Sequence, residues 1–274
     1  MSERKKFAGI LITSDFDDTF FDKGFIPERN ITAIDYFMKN GGYFTINTAR
    51  SVDSLQSFLP MFSVNAPASL SNGAIIYDYE KQRILESHFI DPHAMTVARE
   101  IHEKFEDVRI EIYTDLGVSI ARDIPVLDEK TQSTRPQGKQ VDIFTFDQPV
   151  SRVLFLAGKE TIQKVADYAA ERSEGKYEEI RTFGRSYCIM PCGVSKGAAL
   201  LKIAGLLKVP VGNTYCIGDS FNDIDMMKAA GTSVCPANAH EKIREICDVT
   251  VCDMMDGAVA DLIEMIDRKT GKEV

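Results

Sequence analysis

A strand, a turn and a helix alternate along much of this chain, and this alternation limits the fold more than any other feature. Short apolar, β-rich segments stand at residues 9–13, 43–47, 214–217, 232–235 and 249–251. A helical pattern follows each segment, for example after Pro27, where Ile31, Ile34 and Phe37 lie at helical spacing. Such units favour a parallel sheet with helices on both faces. We therefore predict an α/β fold with a Rossmann-like parallel sheet core.

The middle of the chain has a different pattern, in which strands pair through tight turns. Residues 74–79 and 83–89 predict a hairpin, and further strand and helix patterns follow it. Mixed strands and helices of this kind are typical of an α+β domain. We therefore predict an inserted domain over residues 83–188, within a discontinuous core that comprises residues 1–82 and 189–274.

The charge and cysteine content exclude several classes of function. The chain of 274 residues has 32 basic and 41 acidic side chains, and its formal net charge of −9 argues against nucleic acid or an anionic membrane as a partner. The six cysteines form no C-x-x-C pair and no zinc-site spacing with histidine, so we interpret them as reduced, buried thiols. Without a signal-peptide pattern or a long apolar stretch, we expect a cytoplasmic protein with no obligatory protein partner.

Polar side chains gather at the predicted carboxyl ends of the core strands, where doubly wound sheets bind ligands. They are Asp15, Asp17 and Thr19 after the first strand, Thr48 after the second, and Asp219, Asn222 and Asp223 after a later one. Lys196 opens a helix predicted from Ser195 onwards. Carboxylates, hydroxyls, an amide and a lysine on one edge form a site suited to Mg²⁺ and to phosphate.

Asp15 and Asp17 can divide the work of phosphoryl transfer. In extended backbone the two side chains point to one side, so one carboxylate could hold Mg²⁺ and attack phosphorus while the other protonates the leaving oxygen. The alternative is an Asx turn or a helix cap, which aspartate and threonine both favour. Capping needs only one such residue, whereas three aspartates lie among residues 15–18.

The other candidates also have purely structural interpretations. Ser220 and Asp223 fit a capping box, Thr48 fits an ordinary helix N-cap, and Lys196 fits a solvated surface lysine. These interpretations leave Asp219 unexplained at the end of a strand. Asp219 could supply a second metal carboxylate, and the neighbouring polar side chains could orient the phosphate or metal-bound water.

Several motifs follow one another in a set order along the two core segments. They are Asp15, Asp17 and Thr19; Thr48-Ala49-Arg50; Asn72-Gly73; Lys196; Gly218 to Asp223; Asn238-Ala239; and Asp256-Gly257-Ala258. In this order the sequence resembles the haloacid dehalogenase-like (HAD) superfamily, specifically its Cof-type branch of phosphatases with a large α/β cap. The predicted insertion falls where that branch carries its cap.

The resemblance implies a Mg²⁺-dependent phosphatase that acts on small phosphorylated metabolites, such as sugar phosphates, through an aspartyl-phosphate. Asp15 would be the nucleophile and Asp17 the general acid and base. The metal would be held by Asp15, the backbone carbonyl of Asp17, and Asp219. The expected phosphate contacts are the Phe16 amide, Thr48 with Ala49, Lys196 and Asn222. The expected supporting residues are Thr19, Asp223, Asn72 and Gly73.

Two positions depart from the family motifs. Asp18 and Ala49 stand where the family commonly has glycine, and Asp18 adds negative charge beside an anionic substrate. The cap is expected to close over the site and contact the leaving group. Residues 122–149 are polar and irregular and could form a lid, in which Arg122, Asp123 and Arg135 are candidate contacts.

Three alternatives remain open at this point. A phosphomutase would use the same aspartyl-phosphate but return the phosphoryl group to a sugar. A serine hydrolase would use Ser195 of the G-x-S-x-G pattern, with Asp219 and His240 downstream. A non-catalytic protein that binds Mg²⁺ or phosphate is compatible with any fold.

Overall fold

The computed structural model describes residues 5–115, 117–124, 138–182 and 185–271. By its internal contacts the chain divides into two compact units. The first, called the core unit, comprises the chain up to Ala49, Gln56–Leu85, and the chain from Ser195 onwards; the second, called the inserted unit, comprises Arg50–Leu55 and Glu86–Val194. The sequence-based breaks at 82/83 and 188/189 lie a few residues before these divisions, and the short segment Arg50–Leu55 had no counterpart in the prediction.

The strands and helices are numbered in chain order over the described residues. The strands are β1 (Leu11–Ser14), β2 (Tyr43–Ile46), β3 (Ala68–Leu70), β4 (Ile75–Asp78), β5 (Arg83–Ser87), β6 (Arg109–Thr114), β7 (Gly117–Arg122), β8 (Lys139–Gln140), β9 (Arg152–Leu156), β10 (Glu178–Thr182), β11 (Ser186–Met190), β12 (Thr214–Ile217), β13 (Thr232–Pro236) and β14 (Val249–Val251). The helices are α1 (Glu28–Lys39), α2 (Val52–Gln56), α3 (Pro92–Lys104), α4 (Lys159–Ala170), α5 (Lys196–Leu207), α6 (Ile224–Ala229), α7 (Glu241–Ile246) and α8 (Ala258–Thr270). In the part of the chain thus described, no helix combines the length and the apolarity that crossing a membrane requires.

The core unit is built on a parallel sheet with strand order β14-β13-β12-β1-β2. Ser14 at the end of β1 is paired with Ile217 of β12 and with Ile46 of β2, so these three strands end level with one another. Every residue of β1 is buried, which means that both faces of this inner strand are covered. The predicted α/β class with a Rossmann-like parallel core is therefore confirmed, and the parallel register brings the loops after β1, β2 and β12 to one edge.

Helix α1 has the start and stop signals expected from its sequence. Pro27 occupies the N-cap position, and Ile34 and Phe37 are buried on one side of the helix. The chain turns immediately afterwards at Gly41, whose φ is +92°. A side chain on Gly42 would have its Cβ only 2.3 Å from the Phe37 ring, so the second glycine is required by close packing.

The inserted unit contains a six-stranded sheet of order β10-β11-β9-β6-β7-β8. Its neighbouring strands are antiparallel except for β7 and β8. The apolar residues of β6, β9 and β11 pack in one cluster with those of α3 and α4. Strands β3, β4 and β5 form a separate three-stranded sheet, which contains the predicted hairpin as β4 and β5. The mixed strands and helices agree with the predicted α+β character.

Two of the three residues predicted as leaving-group contacts have structural partners within the inserted unit. The Arg122 guanidinium donates to the carbonyl of Phe105 at 2.5 Å and to that of His102 at 2.6 Å, which ties β7 to the end of α3. Asp123 pairs with the buried Arg109. Arg135 lies outside the described residues. Through these contacts, Arg122 and Asp123 stabilise the fold of the inserted unit.

Candidate active site

Three aspartates from two loops that are far apart in sequence meet at the carboxyl edge of the core sheet. Asp15 directly follows β1, and its amide donates to the carbonyl of Ile217 at the end of β12 at 2.9 Å. Asp219 and Asp223 follow β12 on the next loop. One carboxylate oxygen from each aspartate lies within 4.8 Å of the others, and all three residues are buried. The structure thus brings together the predicted nucleophile and the predicted second metal carboxylate.

Lys196 lies between two of these carboxylates. Its Nζ is 2.7 Å from an oxygen of Asp15 and 2.7 Å from an oxygen of Asp223. Only 1% of Lys196 is exposed, so its interpretation as a solvated surface lysine is wrong. Burial by itself lowers the pKa of Lys196, but the charges of Asp15 and Asp223 outweigh it and raise the pKa above its ordinary value. The ammonium is therefore charged at neutral pH.

The single lysine does not neutralise the three carboxylates. Burial, together with the nearby charge of Asp223, raises the pKa of Asp15 well above its ordinary value. The same two causes raise the pKa of Asp219 to about 7. Burial and mutual repulsion both disfavour the ionised forms of these carboxylates, and a further cation would offset both effects. The buried oxygen donors fit a hard divalent cation such as Mg²⁺.

The hydrogen bonds of Asp223 give it a supporting position. One carboxylate oxygen contacts Lys196, and the other accepts from the amides of Asp219 at 3.1 Å and Ser220 at 3.0 Å. The bond from the Ser220 amide is the one that the predicted capping motif requires of Asp223. Thr19 donates its hydroxyl to Asp219 at 2.6 Å, as a supporting residue should. Asp223 and Thr19 thus fix the loop and the carboxylate of Asp219.

The loop after β1 turns back on itself through a strained residue. Asp17 forms an isolated parallel bridge with Phe21, and the Asp18 amide donates to the Phe21 carbonyl at 2.9 Å. Asp18 has a φ of 59°, in the left-handed region that glycine adopts most easily and that aspartate tolerates. This conformation gives a physical reason for the glycine that the family commonly has there. Asn238 holds the turn by donating to the Asp18 carbonyl at 2.8 Å.

The predicted phosphate and supporting residues from the other loops are linked to one another. The carbonyl of Thr48 accepts from the amide of Asn72 at 3.0 Å, and Asn222 donates to the Asn72 side chain at 3.3 Å. Thr48 is buried and α2 begins only at Val52, so Thr48 is not the N-cap of that helix. A Cβ on Gly73 would lie 2.3 Å from the Ser195 carbonyl, which explains why glycine stands beside Asn72.

Ala49, by contrast, does not have a positive φ. The backbone at this position therefore does not require glycine, which agrees with the alanine found there.

Phe16, whose amide was predicted to contact phosphate, has a fully buried ring stacked on Phe21 with centroids 5.0 Å apart. This packing anchors the segment between Asp15 and Asp17.

Asn47 is a site residue that the sequence analysis did not identify. It is fully buried at the end of β2, and its amide donates to the carbonyl of Lys196 at 2.8 Å. The same amide lies 3.3 Å from the sulfur of Met226 in α6. Asn47 could have been found from the sequence, because it is a polar residue directly before Thr48 at the carboxyl end of a predicted strand. Doubly wound sheets bind ligands at such strand ends.

The residues of the serine hydrolase alternative have other roles. The Ser195 hydroxyl accepts from the amide of Ala198 at 3.1 Å and so caps α5. The His240 ring nitrogen accepts from the amide of Lys242 at 3.2 Å and caps α7. Asp219 accepts from Thr19 and belongs to the carboxylate group. These contacts favour the aspartate site over the serine one.

The chain is similar to known proteins over most of its length. The chain is 24% identical over 272 residues to the pyridoxal phosphate phosphatase YbhA of Escherichia coli, covering 92% of this chain and 97% of that protein. It is 24% identical over 286 residues to the 5-amino-6-(5-phospho-D-ribitylamino)uracil phosphatase YwtE of Bacillus subtilis, covering 93% and 97%. The structure of BT4131, a sugar phosphatase of HAD subclass IIB, matches the fold with a TM-score of 0.80 at 16% identity, covering 93% of this chain and 98% of that one.

The profile of the haloacid dehalogenase-like hydrolases matches residues 12–263. This range includes every residue of the site described above, from Asp15 to His240. The resemblance inferred from the motifs is thereby confirmed. The chain belongs to the haloacid dehalogenase-like hydrolase family.

Proposed function

We propose that this protein is a Mg²⁺-dependent phosphatase that hydrolyses small phosphorylated metabolites through a phosphorylated Asp15. The observation that carries the proposal is the group of three buried carboxylates around one buried lysine. That the chain is an enzyme of the phosphatase type follows from its family and from the names of its relatives. The metal, the intermediate and the substrate class are the proposed parts.

The side chains of Asp15 and Asp219, with the backbone carbonyl of Asp17, would hold the metal. Bound Mg²⁺ supplies positive charge that offsets the carboxylates and the phosphoryl oxygens. The raised pKa values of Asp15 and Asp219 are consistent with this assignment, because burial and the nearby charge of Asp223 disfavour the ionised carboxylates and a bound cation would favour them. Asp223 has both oxygens engaged by Lys196 and by two amides, which suits it to position the others.

In the first step, a carboxylate oxygen of Asp15 attacks phosphorus and the bond from phosphorus to the ester oxygen breaks. Asp17 gives a proton to the leaving oxygen, which departs as an alcohol. Lys196 orients Asp15 through their 2.7 Å contact and adds a positive charge beside the transferring group. The aspartyl-phosphate is then ready for hydrolysis.

In the second step, Asp17 takes a proton from a water molecule that attacks the phosphorus of the aspartyl-phosphate. The bond from phosphorus to the Asp15 oxygen breaks, inorganic phosphate leaves and the carboxylate of Asp15 is restored. Asp17 is only partly buried and stands outside the group of three close carboxylates, which suits a residue that exchanges protons with water. Its environment differs from that of Asp15, as two carboxylates with separate roles require.

The substrate class is proposed as phosphate monoesters of small metabolites. The named relatives act on pyridoxal phosphate and on a phosphoribitylamino-uracil, both of which are compact phosphorylated molecules. The net charge of −9 argues against a polyanionic substrate such as nucleic acid. We expect a phosphorylated sugar or a molecule of similar size.

The test is phosphate release from a panel of sugar phosphates, nucleotides and pyridoxal phosphate, with Mg²⁺ or with a chelator. We expect turnover that needs Mg²⁺, that Asp15→Asn lowers by at least ~10³-fold and that Ser195→Ala leaves largely intact. Loss of activity in Ser195→Ala but not in Asp15→Asn would establish the serine alternative. Isomerisation of a sugar phosphate in the presence of its bisphosphate, without phosphate release, would establish a mutase.

A further inference from the structure

Two cysteines of the core unit lie closer together than unbonded sulfur atoms usually do. The Sγ atoms of Cys235 and Cys247 are 2.7 Å apart. Cys235 is buried within β13, and Cys247 is partly exposed directly after α7. Their separation is well below the contact distance of two sulfurs and approaches the ~2.05 Å of a disulfide bond. Neither cysteine belongs to the phosphatase site proposed above.

The backbone holds this pair in place from several directions. Cys235 is paired with Thr250 of β14, and the Thr250 hydroxyl is 3.5 Å from the Cys235 sulfur. The residue next to Cys247 is Asp248, whose carboxylate accepts from both the amide and the hydroxyl of Ser233 at 2.8 Å. Ser233 lies two positions before Cys235 on β13. The contact between the thiols is therefore fixed by strand pairing and by the hydrogen bonds from Ser233 to Asp248.

We propose that Cys235 and Cys247 form a site of reversible oxidation, at which a hydroperoxide converts the two thiols into an intramolecular disulfide. Cys247 is the thiol that reacts first, because it is partly exposed, whereas Cys235 is buried. Burial and the contact with Cys247 raise the pKa of Cys235 to about 12, so Cys235 stays protonated until its partner has reacted. Cys235 is then the resolving thiol.

The reaction balances with one hydroperoxide for each pair of thiols. The Cys247 thiol gives its proton to water, and its sulfur attacks the terminal oxygen of the hydroperoxide to form a sulfenic acid. The alkoxide that leaves, or hydroxide from hydrogen peroxide, takes up a proton from water and departs as an alcohol or as water. The Cys235 sulfur attacks the sulfenic sulfur, the S–S bond forms, and the hydroxyl leaves as water with the proton of Cys235. The two thiols lose two electrons in total, and the hydroperoxide gains them.

The disulfide would close a loop that contacts the active site. Within that loop, Asn238 donates to the Asp18 carbonyl at 2.8 Å, and the amide of His240 donates to the Asp219 carbonyl at 3.1 Å. Because the sulfurs need to approach by only a fraction of an ångström, these contacts should survive oxidation. We therefore expect the disulfide to fasten α7 to β13 and to stabilise the folded protein while activity is retained.

The experiment exposes the full-length reduced protein to hydrogen peroxide, blocks the remaining thiols with N-ethylmaleimide and maps the peptides by mass spectrometry without reduction. We expect an intact mass, measured before the thiols are blocked, that is lower by two hydrogens, together with a cross-linked peptide pair containing Cys235 and Cys247 and a higher melting temperature. Dithiothreitol should reverse all three changes. Stepwise oxidation of Cys247 to sulfinic acid without the cross-link would overturn the proposal.

Three variants make the assignment specific. Cys247→Ser should abolish the cross-link, and Cys235→Ser should leave a sulfenic acid at Cys247 that dimedone traps. Cys252→Ser is the matched control, because Cys252 is also a partly exposed cysteine of the core unit, and it should form the cross-link as the unmodified protein does. A disulfide that includes Cys252 would contradict the proposal. A cross-link that still forms in Cys247→Ser would also contradict it.

Discussion

The charge balance around Lys196 governs the site at the scale of single residues. Its ammonium contacts Asp15 and Asp223, while Asp219 has a hydroxyl from Thr19 as its side-chain partner. Asp219 is therefore the carboxylate whose ionisation in the folded protein is least compensated by contact with a cation. This difference leads to a dependence of stability on pH that a metal ion should remove.

We expect the metal-free protein to lose stability as the pH rises from about 4 to about 7. The pKa of Asp219 is about 7 in the folded protein and has its ordinary value of 3.8 in the unfolded chain. The folded state therefore binds more protons in this window, and the favourable contribution present below pH 4 is lost as the pH rises through 7. The loss should be about 2–4 kcal/mol, measured by urea unfolding at a series of pH values.

Added Mg²⁺ should reverse this trend. It should raise the free energy of unfolding more at pH 8 than at pH 5, because it binds the ionised carboxylates. Asp219→Asn is the matched variant, since its side-chain oxygen can still accept from Thr19 while the charge is gone. The variant should show a flatter pH profile and a smaller response to Mg²⁺. An unchanged profile in Asp219→Asn would show that another group titrates.

Asp18 gives a second prediction at this scale. Its φ of 59° is costly for β-branched residues, so Asp18→Val should destabilise the protein by about 1–2 kcal/mol. Asp18→Asn tolerates the same conformation without the charge and should stay within about 0.5 kcal/mol of the original stability. Thermal and urea unfolding measure both. Equal losses in the two variants would mean that charge, and not backbone conformation, determines the effect.

The residues of the site were only partly predictable, for an identifiable reason. Asp15, Asp219 and Lys196 stand at the boundaries of strands and helices, and such positions can be found from the local pattern. The 2.7 Å contact between Lys196 and Asp223 joins residues 27 positions apart, and Asn47 reaches Lys196 across 149 positions. Contacts of this kind depend on tertiary packing, which local patterns do not encode.

Helix α5 gives a prediction at the scale of elements, because two of its glycines have opposite surroundings. A Cβ on Gly197 would lie 2.3 Å from the carbonyl of Asp225, whereas one on Gly205 would meet nothing within 4 Å. Gly197→Ala should therefore push α5 away from α6 and cost about 1–3 kcal/mol. Gly205 lies at an exposed position of the helix, and Gly205→Ala should stabilise the protein by about 0.5–1 kcal/mol.

Phosphatase assays should separate the two variants as well. Gly197 is adjacent to Lys196, so Gly197→Ala should lower turnover by displacing the lysine from Asp15, while Gly205→Ala should leave turnover unchanged. Circular dichroism and urea unfolding give the stabilities on the same samples. If both alanine variants gained stability, the close approach between α5 and α6 would not exist in solution.

Two of the shortest strands, β3 and β8, were not predicted, although the three-residue strand β14 was. Helix α1 and strand β12 follow from apolar periodicity and from turn residues at their ends. Strand β3 has three residues and strand β8 has two, which is too few to show an alternating pattern. Strand β3 is defined by its pairing with β4, so its existence depends on a neighbour in space.

At the scale of the whole molecule, the acidic charge of the chain and the charge of the site are related. The net charge of −9 makes the chain a poor partner for polyanions. Part of that charge is buried at Asp15, Asp219 and Asp223, where Lys196 contacts two of the three carboxylates. The parallel order of the sheet was predictable from alternating strands and helices, and this order is what gathers these residues from both ends of the chain. We therefore expect Mg²⁺ to be a condition for binding an anionic substrate.

The most direct test of the central claim is to trap the phosphorylated enzyme. The protein is mixed with Mg²⁺ and a good substrate from the panel, quenched in acid within the first turnover, and digested for mass spectrometry at low pH. We expect one phosphoryl group on Asp15, and we expect it to be absent in Asp15→Asn and when a chelator replaces Mg²⁺. A phosphoryl group on any other residue, or phosphate release by Asp15→Asn at the original rate, would contradict the account.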